Sequence, residues 1–343
     1  VATEVWNPIP RVVGFQGSSP IPGDAIILFN GTNLEQWVSD KDGGKAMWDV
    51  KDGIFTVKAS TGDIKTKQKF GSCQLHLEFR TPAVVEGNGQ GSVFRVLSPG
   101  VTIRGLHITG SGTDSSGIDA GIYVEQGADD PVIERNWLDR NLFGVTLHGP
   151  QRAKVIDNRI TSRNDIWLNN RGNGIHAWNN TGALIERNQV IGGRDGIFVQ
   201  LGQDNVIADN RFEHLRFAVH FMYSKHGSVT GNVSIGNHIG YALMYSDRLK
   251  VADNISVRDR DQGLMLNSAR KGEASGNYVY GSAGKCLFLY LALQNKVHDN
   301  RFENCEVGVH VTGSDGNAIA GNAFIGNHVQ MHYSGTKVYE WSD

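Results

Sequence analysis

The chain has 343 residues, in which 33 Lys and Arg face 35 Asp and Glu, for a formal net charge of -2. This balance gives no basis for attraction to nucleic acid or to an anionic membrane, so neither is expected as a partner. No apolar run approaches the roughly 20 residues that a membrane span requires, and no span is expected. Glycine is abundant, with 43 residues against 8 prolines, which is typical of a chain that turns often and packs its backbone closely.

The first 91 residues show no long repeat and are predicted to form short strands joined by turns. Their opening, VATEVWNPIP, lacks the basic and apolar regions of a signal peptide, so none is expected. Four stretches resemble the first half of a 3-keto-disaccharide hydrolase domain, a β-jelly-roll family: LFNGTNLEQW (28–37), WDVKDGIFTV (48–57), TGDIKTKQKFGSCQLHLEFRTP (61–82) and EGNGQG (86–91). We assign 1–91 to a partial jelly-roll segment whose expected role is to cap the domain that follows.

Residues 92–343 are organised by a recurring asparagine. Nine such residues follow one another at spacings of 22, 30, 22, 22, 22, 23, 23 and 22: Asn136, Asn158, Asn188, Asn210, Asn232, Asn254, Asn277, Asn300 and Asn322. A small or branched apolar residue lies three positions before each of them, and period-2 alternation follows, which indicates strands. Coils of about 22 residues cannot bury their apolar faces alone, so they must stack. The sequence predicts an all-β fold, a right-handed parallel β-helix with a ladder of stacked asparagine amides.

One coil carries eight extra residues between Asn158 and Asn188, around TSRNDIWLNNRGN. The surplus predicts a loop that leaves the stack. Insertions of this kind often lie on the working face of a repeat protein.

The ladder also predicts which side chains point inward. Positions 9 and 11 after each asparagine are almost all apolar, so positions 10 and 12 must point outward, because side chains alternate along a strand. A glycine or alanine often lies eight positions after the ladder asparagine, and we call this position the glycine place. After Asn254 one extra residue shifts the count, and assigning Gly263 to the glycine place puts Met265 and Asn267 outward. Three of the five methionines then lie on consecutive coils of this outward row, together with histidines.

Thioether sulfur and imidazole nitrogen are ligand types that select Cu(I). The candidate metal ligands are therefore His220, Met222, Met244, Met265, His176 and His148, with Cu(I) as the expected metal. Two other interpretations stay open for the row: an apolar patch that docks a protein partner, or a surface without function.

The remaining chemistry-bearing residues give weaker signals. Cys286 and Cys305 occupy neighbouring coils and are expected as buried thiols, and three cysteines are too few for a disulfide framework. Asp195 and the run RDRD at 258–261 are candidate acid and base groups, although charges at coil turns are usually solvated or paired. No P-loop, HExxH, GxSxG or CxxC pattern occurs.

Six stretches resemble the NosD family, whose members take part in copper-site maturation of nitrous oxide reductase: RGNGIHAWN (171–179), RDGIFVQ (194–200), RFAVHFMY (216–223), GYALMYS (240–246), DQGLMLN (261–267) and GKCLFLY (284–290). The resemblance implies a periplasmic protein docked on an ABC-type transporter of an ATPase and a membrane subunit. It also implies that copper arrives from a copper chaperone and passes to nitrous oxide reductase.

Three functions are therefore considered. The first is a non-enzymatic copper-handling scaffold, which the methionines and His220 favour over catalysis. The second is a carbohydrate lyase, epimerase or glycoside hydrolase, an analogy at the level of the fold, which would need an acid and a base facing one groove. The outward positions show no carboxylate pair. The third is a structural docking solenoid.

Overall fold

A computed structural model describes residues 25–58, 60–70, 83–163 and 165–335, and the chain divides into two compact units after Gly71. The opening VATEVWNPIP and the stretch 71–82 of the hydrolase resemblance, with Cys73, lie outside these residues. In the first unit, Trp37–Ser39 pairs antiparallel with Ile64–Thr66, and Asp49–Lys51 with Ile54–Thr56. The short strands expected here are confirmed.

The second unit is a parallel β-solenoid of three long sheets, as the repeat predicts. Its first sheet contains Thr102–Arg104, Val132–Glu134, Lys154–Ile156, Leu184–Glu186, Val206–Ala208, Ser228–Thr230, Lys250–Ala252, Glu273–Ser275, Lys296–His298 and Ala318–Ala320. Its second contains Val84–Glu86, His107–Thr109, Trp137–Asn141, Arg159–Ser162, Gln189–Ile191, Arg211–Glu213, Val233–Ile235, Ile255–Val257, Tyr278–Tyr280, Arg301–Glu303 and Ala323–Ile325. Its third contains Phe94–Val96, Ala120–Val124, Phe143–His148, Ile175–Trp178, Asp195–Gln200, Phe217–Met222, Ile239–Met244, Gln262–Asn267, Lys285–Tyr290, Val307–Thr312 and Val329–Ser334. Each described coil after the first contributes one strand to each sheet, and the first contributes only to the second and third sheets. Equivalent residues of successive coils therefore lie about 4.8 Å apart.

The asparagine ladder forms as predicted. The Asn210 Oδ1 atom accepts from the backbone N and the Nδ2 atom of Asn188, at 2.9 and 3.0 Å. Its Nδ2 atom donates to the Ile185 carbonyl at 2.9 Å and to Asn232 Oδ1 at 3.0 Å. Every neighbouring pair of the nine asparagines repeats the amide-to-amide bond. The buried polar groups of this corner are therefore satisfied from one coil to the next.

The inward prediction is also confirmed, because the residues 9 and 11 positions after the ladder fill the core. Val145, Leu147, Val219 and Phe221 are among those with no exposed surface. The residue directly before these core positions is small because there is little space for a side chain there. A Cβ atom at Gly196 would lie 2.5 Å from both the Ala218 carbonyl oxygen and Phe212 Cδ1.

The eight-residue insertion leaves the stack between Arg159–Ser162 and Ile175–Trp178, as predicted. It contains one 3-10 turn, Leu168–Asn170, and the described residues contain no helix with the length and hydropathy of a membrane span. Ile166 packs against a small apolar cluster on the outside of the third sheet, while Trp167 is 85% exposed.

Cys286 and Cys305 form a disulfide, so the expectation of two separate thiols is wrong. Both residues are buried, as expected. Cys286 occupies the small-residue place of its third-sheet strand, since Gln262 pairs with Lys285 and Leu264 with Leu287. Cys305 lies in the turn before the next third-sheet strand, and stacking brings the two sulfurs together across one coil boundary.

Asp259, from the RDRD run, is fully buried and belongs to a second polar column. Its Oδ1 atom accepts from the Asn237 backbone N at 2.8 Å, and its Oδ2 atom accepts from the hydroxyls of Ser234 and Ser256 at 2.7 and 2.5 Å. Burial raises the pKa of this carboxyl to about 6, and the hydrogen bonds offset the rise in part. The group is therefore structural.

Asp259→Asn is expected to stabilise the protein at neutral pH. The pKa of the Asp259 carboxyl is about 6 in the folded protein, above its ordinary value of 3.8. Between these two pH values the folded protein binds more protons than the unfolded chain does. The free energy of unfolding therefore falls as the pH rises through this range. The free energy of unfolding of the variant, relative to that of the unchanged protein, should increase by about 2 kcal/mol from pH 4.5 to 7.5. Urea denaturation at both pH values measures it, and an advantage that does not change with pH would contradict the assignment.

Candidate functional site

The third sheet presents three columns of side chains that point away from the core, and we call this surface the outer face. The first column is Ala120, Phe143, Asp195, Phe217, Ile239, Gln262, Lys285, Val307 and Val329. The middle column is Tyr123, Thr146, His176, Phe198, His220, Ala242, Met265, Phe288, His310 and His332. The last column is His148, Trp178, Gln200, Met222, Met244, Asn267, Tyr290, Thr312 and Ser334. The pairing of Met265 with Ala242 confirms the predicted one-residue shift after Asn254.

Half of the middle column is buried although its side chains point outward. His220 is 5% exposed and Met265 6%, and Thr146 and Ala242 are also buried. The columns on either side cover them, because parallel strands about 4.8 Å apart leave little space between large side chains. Alternation along a strand determines whether a side chain points inward or outward. The exposed fraction of an outward side chain depends on the size of the side chains next to it.

His220 is held by a buried ion pair. Its Nδ1 atom lies 3.1 Å from Asp195 Oδ2, and Arg216 donates to both Asp195 oxygens, from Nε at 2.7 Å and from Nη2 at 2.6 Å. Burial raises the pKa of the Asp195 carboxyl, but the bonds from His220 and Arg216 outweigh it and hold the pKa below its ordinary value. Within the described residues, His220 Nε2 is buried and has no hydrogen-bond partner.

The methionines occupy two adjacent columns. Met222 and Met244 are direct neighbours on successive coils, in the same column, and both are partly exposed. Met265 belongs to the middle column and forms a buried apolar cluster with Ile239 and Ala242, against which Met244 packs. His220 is two residues before Met222 on the same strand, so its side chain points outward beside that methionine.

The structure separates the six predicted ligands into two groups. Phe198 lies between His176 and His220 in register, with ring centroids 5.3 and 4.6 Å from theirs. The two histidines are thus two coil spacings apart, about 10 Å, which is too far for one ion. Burial first, and then the neighbouring His148, lower the pKa of His176 to about 4, so this imidazole is neutral at pH 7.

His148 belongs to a different cluster. Its Nδ1 atom lies 2.7 Å from the Tyr123 hydroxyl, its ring lies 4.5 Å from that of Trp178, and Glu125 is 3.9 Å away. Arg95 pairs with Glu125. The structure therefore places His220 beside Met222 and Met244, and leaves His148 and His176 apart from them. Met265 packs in the same cluster as Met244 but lies two coil spacings from His220, with Ala242 between them in register.

Two carboxylates beside the outer face, those of Glu125 and Asp195, have roles that the sequence pattern did not reveal. Glu125 follows the strand Ala120–Val124, and Asp195 opens the strand Asp195–Gln200, one place before the glycine. Both are held by arginines, Arg95 and Arg216 respectively. Arg216 directly precedes the strand Phe217–Met222, one coil after Asp195. An acidic residue followed one coil later by a basic one is the sequence pattern that could have predicted this pair.

An exposed row that the sequence analysis missed borders the last column. Seven of the turn residues that directly follow third-sheet strands have φ between 48° and 56°: Asn179, Leu201, Tyr223, Tyr245, Ser268, Leu291 and Gly313. Bulky residues rarely adopt this left-handed backbone, and the turns before the ladder asparagines use polar residues or glycine instead. Here Leu201, Tyr223, Tyr245 and Leu291 are 45–52% exposed, and the two tyrosine rings stack at 5.2 Å. We call these four residues the exposed row.

A family model described as periplasmic copper-binding protein (NosD) matches residues 160–343. A second, described as 3-keto-alpha-glucoside-1,2-lyase-like domain, matches residues 24–204, of which those from Val84 on belong to the parallel solenoid. The A-module of a mannuronan C-5 epimerase from Azotobacter vinelandii has a similar fold, with a TM-score of 0.51 and 14% identity, covering 74% of this chain and 75% of that one.

Two curated relatives carry the name probable ABC transporter binding protein NosD. That of Pseudomonas aeruginosa is 37% identical over 282 residues, and that of Stutzerimonas stutzeri is 33% identical over 283 residues. Each alignment covers 78% of this chain, and the chain spans 66% and 65% of the length of these relatives. The family-model match over more than half of the chain, together with these identities, shows that the chain belongs to the NosD family.

Proposed function

We propose that this protein is a periplasmic copper carrier that holds Cu(I) on the outer face and delivers it to nitrous oxide reductase, in association with an ABC-type transporter. One observation carries the proposal. A buried imidazole with a free Nε2 atom, that of His220, stands beside two partly exposed methionines in register, Met222 and Met244. The family description as copper-binding and periplasmic supports the same metal and compartment.

The donor set suits Cu(I) as a cargo. Thioether sulfur and imidazole nitrogen are soft to borderline ligands, whereas both oxygens of the nearby Asp195 are occupied by Arg216. Methionine side chains are flexible, and a spacing of about 4.8 Å between coils lets the sulfurs of Met222 and Met244 reach one ion. Weakly held, flexible sulfur ligands also suit a protein that must release its metal to another.

The Cys286–Cys305 disulfide supports a location outside the cytoplasm. Disulfides form and persist in oxidising compartments, of which the bacterial periplasm is one.

Replacing both methionines of the last column should abolish tight binding of Cu(I). We expect Met222→Leu combined with Met244→Leu to weaken Cu(I) binding roughly a hundredfold, or about 2.8 kcal/mol, because leucine keeps the volume and removes the sulfur. Competition with a colorimetric Cu(I) chelator measures the affinity of the full chain. Met47→Leu, an exposed methionine of the first unit, is the matched control. Equal affinity of the double variant and the unchanged protein would contradict the proposal.

The exposed row favours a second function, docking of the protein that exchanges copper with this one. Tyr223 and Tyr245 directly follow Met222 and Met244, so a partner that removes or delivers the ion must approach this edge. Exposed apolar rows of this kind mark interaction surfaces, and tyrosine is enriched in them. The partners proposed are the copper chaperone and nitrous oxide reductase, while the names of the relatives support association with an ABC transporter.

Tyr223→Asp with Tyr245→Asp should prevent co-purification with nitrous oxide reductase or the chaperone, because the charges disrupt an apolar contact. Cu(I) affinity should stay within about twofold, or 0.4 kcal/mol. Trp137→Asp, an exposed aromatic of the second sheet, serves as control. Undiminished co-purification of the double variant would assign docking to another surface.

A further inference from the structure

Asp195 is unusual in its column. The other residues of the first column are uncharged except Lys285, yet Asp195 is 1% exposed and carries a carboxylate. Burying a charge is costly unless it is paired and hydrogen-bonded. Arg216 pairs with both oxygens, and its guanidinium carbon lies 4.4 Å from the centre of the Phe217 ring. The Arg216 pair compensates the charge by itself, so the additional contact with His220 calls for its own explanation.

The contact determines which nitrogen of His220 carries the proton. An ionised carboxylate only accepts hydrogen bonds, so the Nδ1 atom, 3.1 Å from Asp195 Oδ2, must be the donor. In the neutral imidazole, Nε2 then keeps its lone pair. A buried nitrogen acceptor without a hydrogen-bond partner is costly. Of the two outer-face histidines with such a nitrogen, His176 and His220, only His220 has its other ring nitrogen on a carboxylate.

Two rings hold the imidazole in place. Phe198 stacks on it with centroids 4.6 Å apart, and Phe217 meets it edge-on at 5.1 Å. Ring orientation and tautomer are both determined before any metal arrives. Metal-binding histidines usually have this arrangement, in which the second nitrogen donates to a carboxylate.

We infer that Asp195 and Arg216 are positioning residues, which hold His220 as the Nδ1–H tautomer so that its Nε2 atom is available to Cu(I). The inference rests on the proposed function and extends it from the ligands to the residues behind them. Arg216 has a second effect. It occupies both Asp195 oxygens, which keeps a hard carboxylate ligand away from the ion and preserves a nitrogen and sulfur donor set.

The tautomer can be measured directly on the metal-free full chain. Selective ¹⁵N labelling of histidine should give His220 the shifts of an Nδ1–H tautomer, with the signal assigned by its loss in His220→Gln. Addition of Cu(I) should perturb the Nε2 signal and leave Nδ1 protonated. An Nε2–H tautomer in the unchanged protein would overturn the inference without any further variant.

Asp195→Asn should weaken Cu(I) binding about tenfold to a hundredfold, as loss of such a partner does elsewhere, and should give His220 a mixture of tautomers. Asp157→Asn removes the carboxylate of another Asp–Arg pair, with Arg187, and should change neither quantity. If Asp195→Asn keeps full affinity while the double methionine variant loses it, the inference fails and the proposed function stands. If the double methionine variant also keeps full affinity, the proposed function fails.

Discussion

Asn210→Ala is expected to destabilise the solenoid by about 3–5 kcal/mol. The side chain makes four hydrogen bonds within the buried ladder. Its removal takes the acceptor from the Asn188 backbone N and breaks three further bonds, although the amides of Asn188 and Asn232 keep other partners. A buried polar group without a partner costs about 1–3 kcal/mol, and partial relaxation of the coils offsets part of the sum. Urea denaturation followed by circular dichroism measures the loss.

Asn322→Ala provides the matched comparison. Asn322 is the last of the nine asparagines and makes the same kind of bonds, to Asn300 and to the Val297 carbonyl, but it is partly exposed. Water replaces the lost partners there, so the cost should be about 1 kcal/mol. Equal losses at the two positions would show that burial does not set the strength of the ladder.

Removing the Cys286–Cys305 disulfide is expected to destabilise the last coils by about 3 kcal/mol, because the bond closes a loop with a sequence separation of 19. Cys286→Ala with Cys305→Ala should therefore increase amide hydrogen exchange in Val307–Thr312 and Val329–Ser334 and leave Phe143–His148 unchanged. The local response follows from the architecture, because each coil contacts only its neighbours.

Two further measurements isolate the effect of the bond. A reducing agent should reproduce the change in exchange in the unchanged protein and have no effect on the double variant. Cys73→Ser, which leaves the disulfide intact, should behave like the unchanged protein. Identical exchange of the double variant and the unchanged protein would show that packing alone holds the last coils.

Much of the architecture was predictable because it repeats. Nine asparagines at nearly constant spacing indicated coils, and the alternation after each of them separated Val219 and Phe221, in the core, from His220 and Met222, on the outer face. The one-residue shift that places Met265 outward was also predictable, since the glycine place could be matched from coil to coil. A local pattern suffices here because stacking makes every coil a template for the next.

Other features depend on the order in which coils stack and on what neighbouring columns carry. Counting residues placed His176, Phe198 and His220 in one row, but only the stack showed that both imidazole rings pack against the Phe198 ring. The pairing of Asp195 with Arg216 and His220 joins residues 21 and 25 positions apart. The disulfide likewise depends on a contact across a coil boundary.

The amino-acid sequence by itself determined the coil, its register and the direction of each side chain, because these follow from a repeated backbone hydrogen-bond pattern and from alternation along a strand. Only the tertiary structure decided which outward side chains are buried and which of them meet. Exposure and contact are set by the side chains of three successive coils together. The contacts between these coils give the His220 Nδ1 atom a carboxylate partner and leave its buried Nε2 atom without a hydrogen-bond partner.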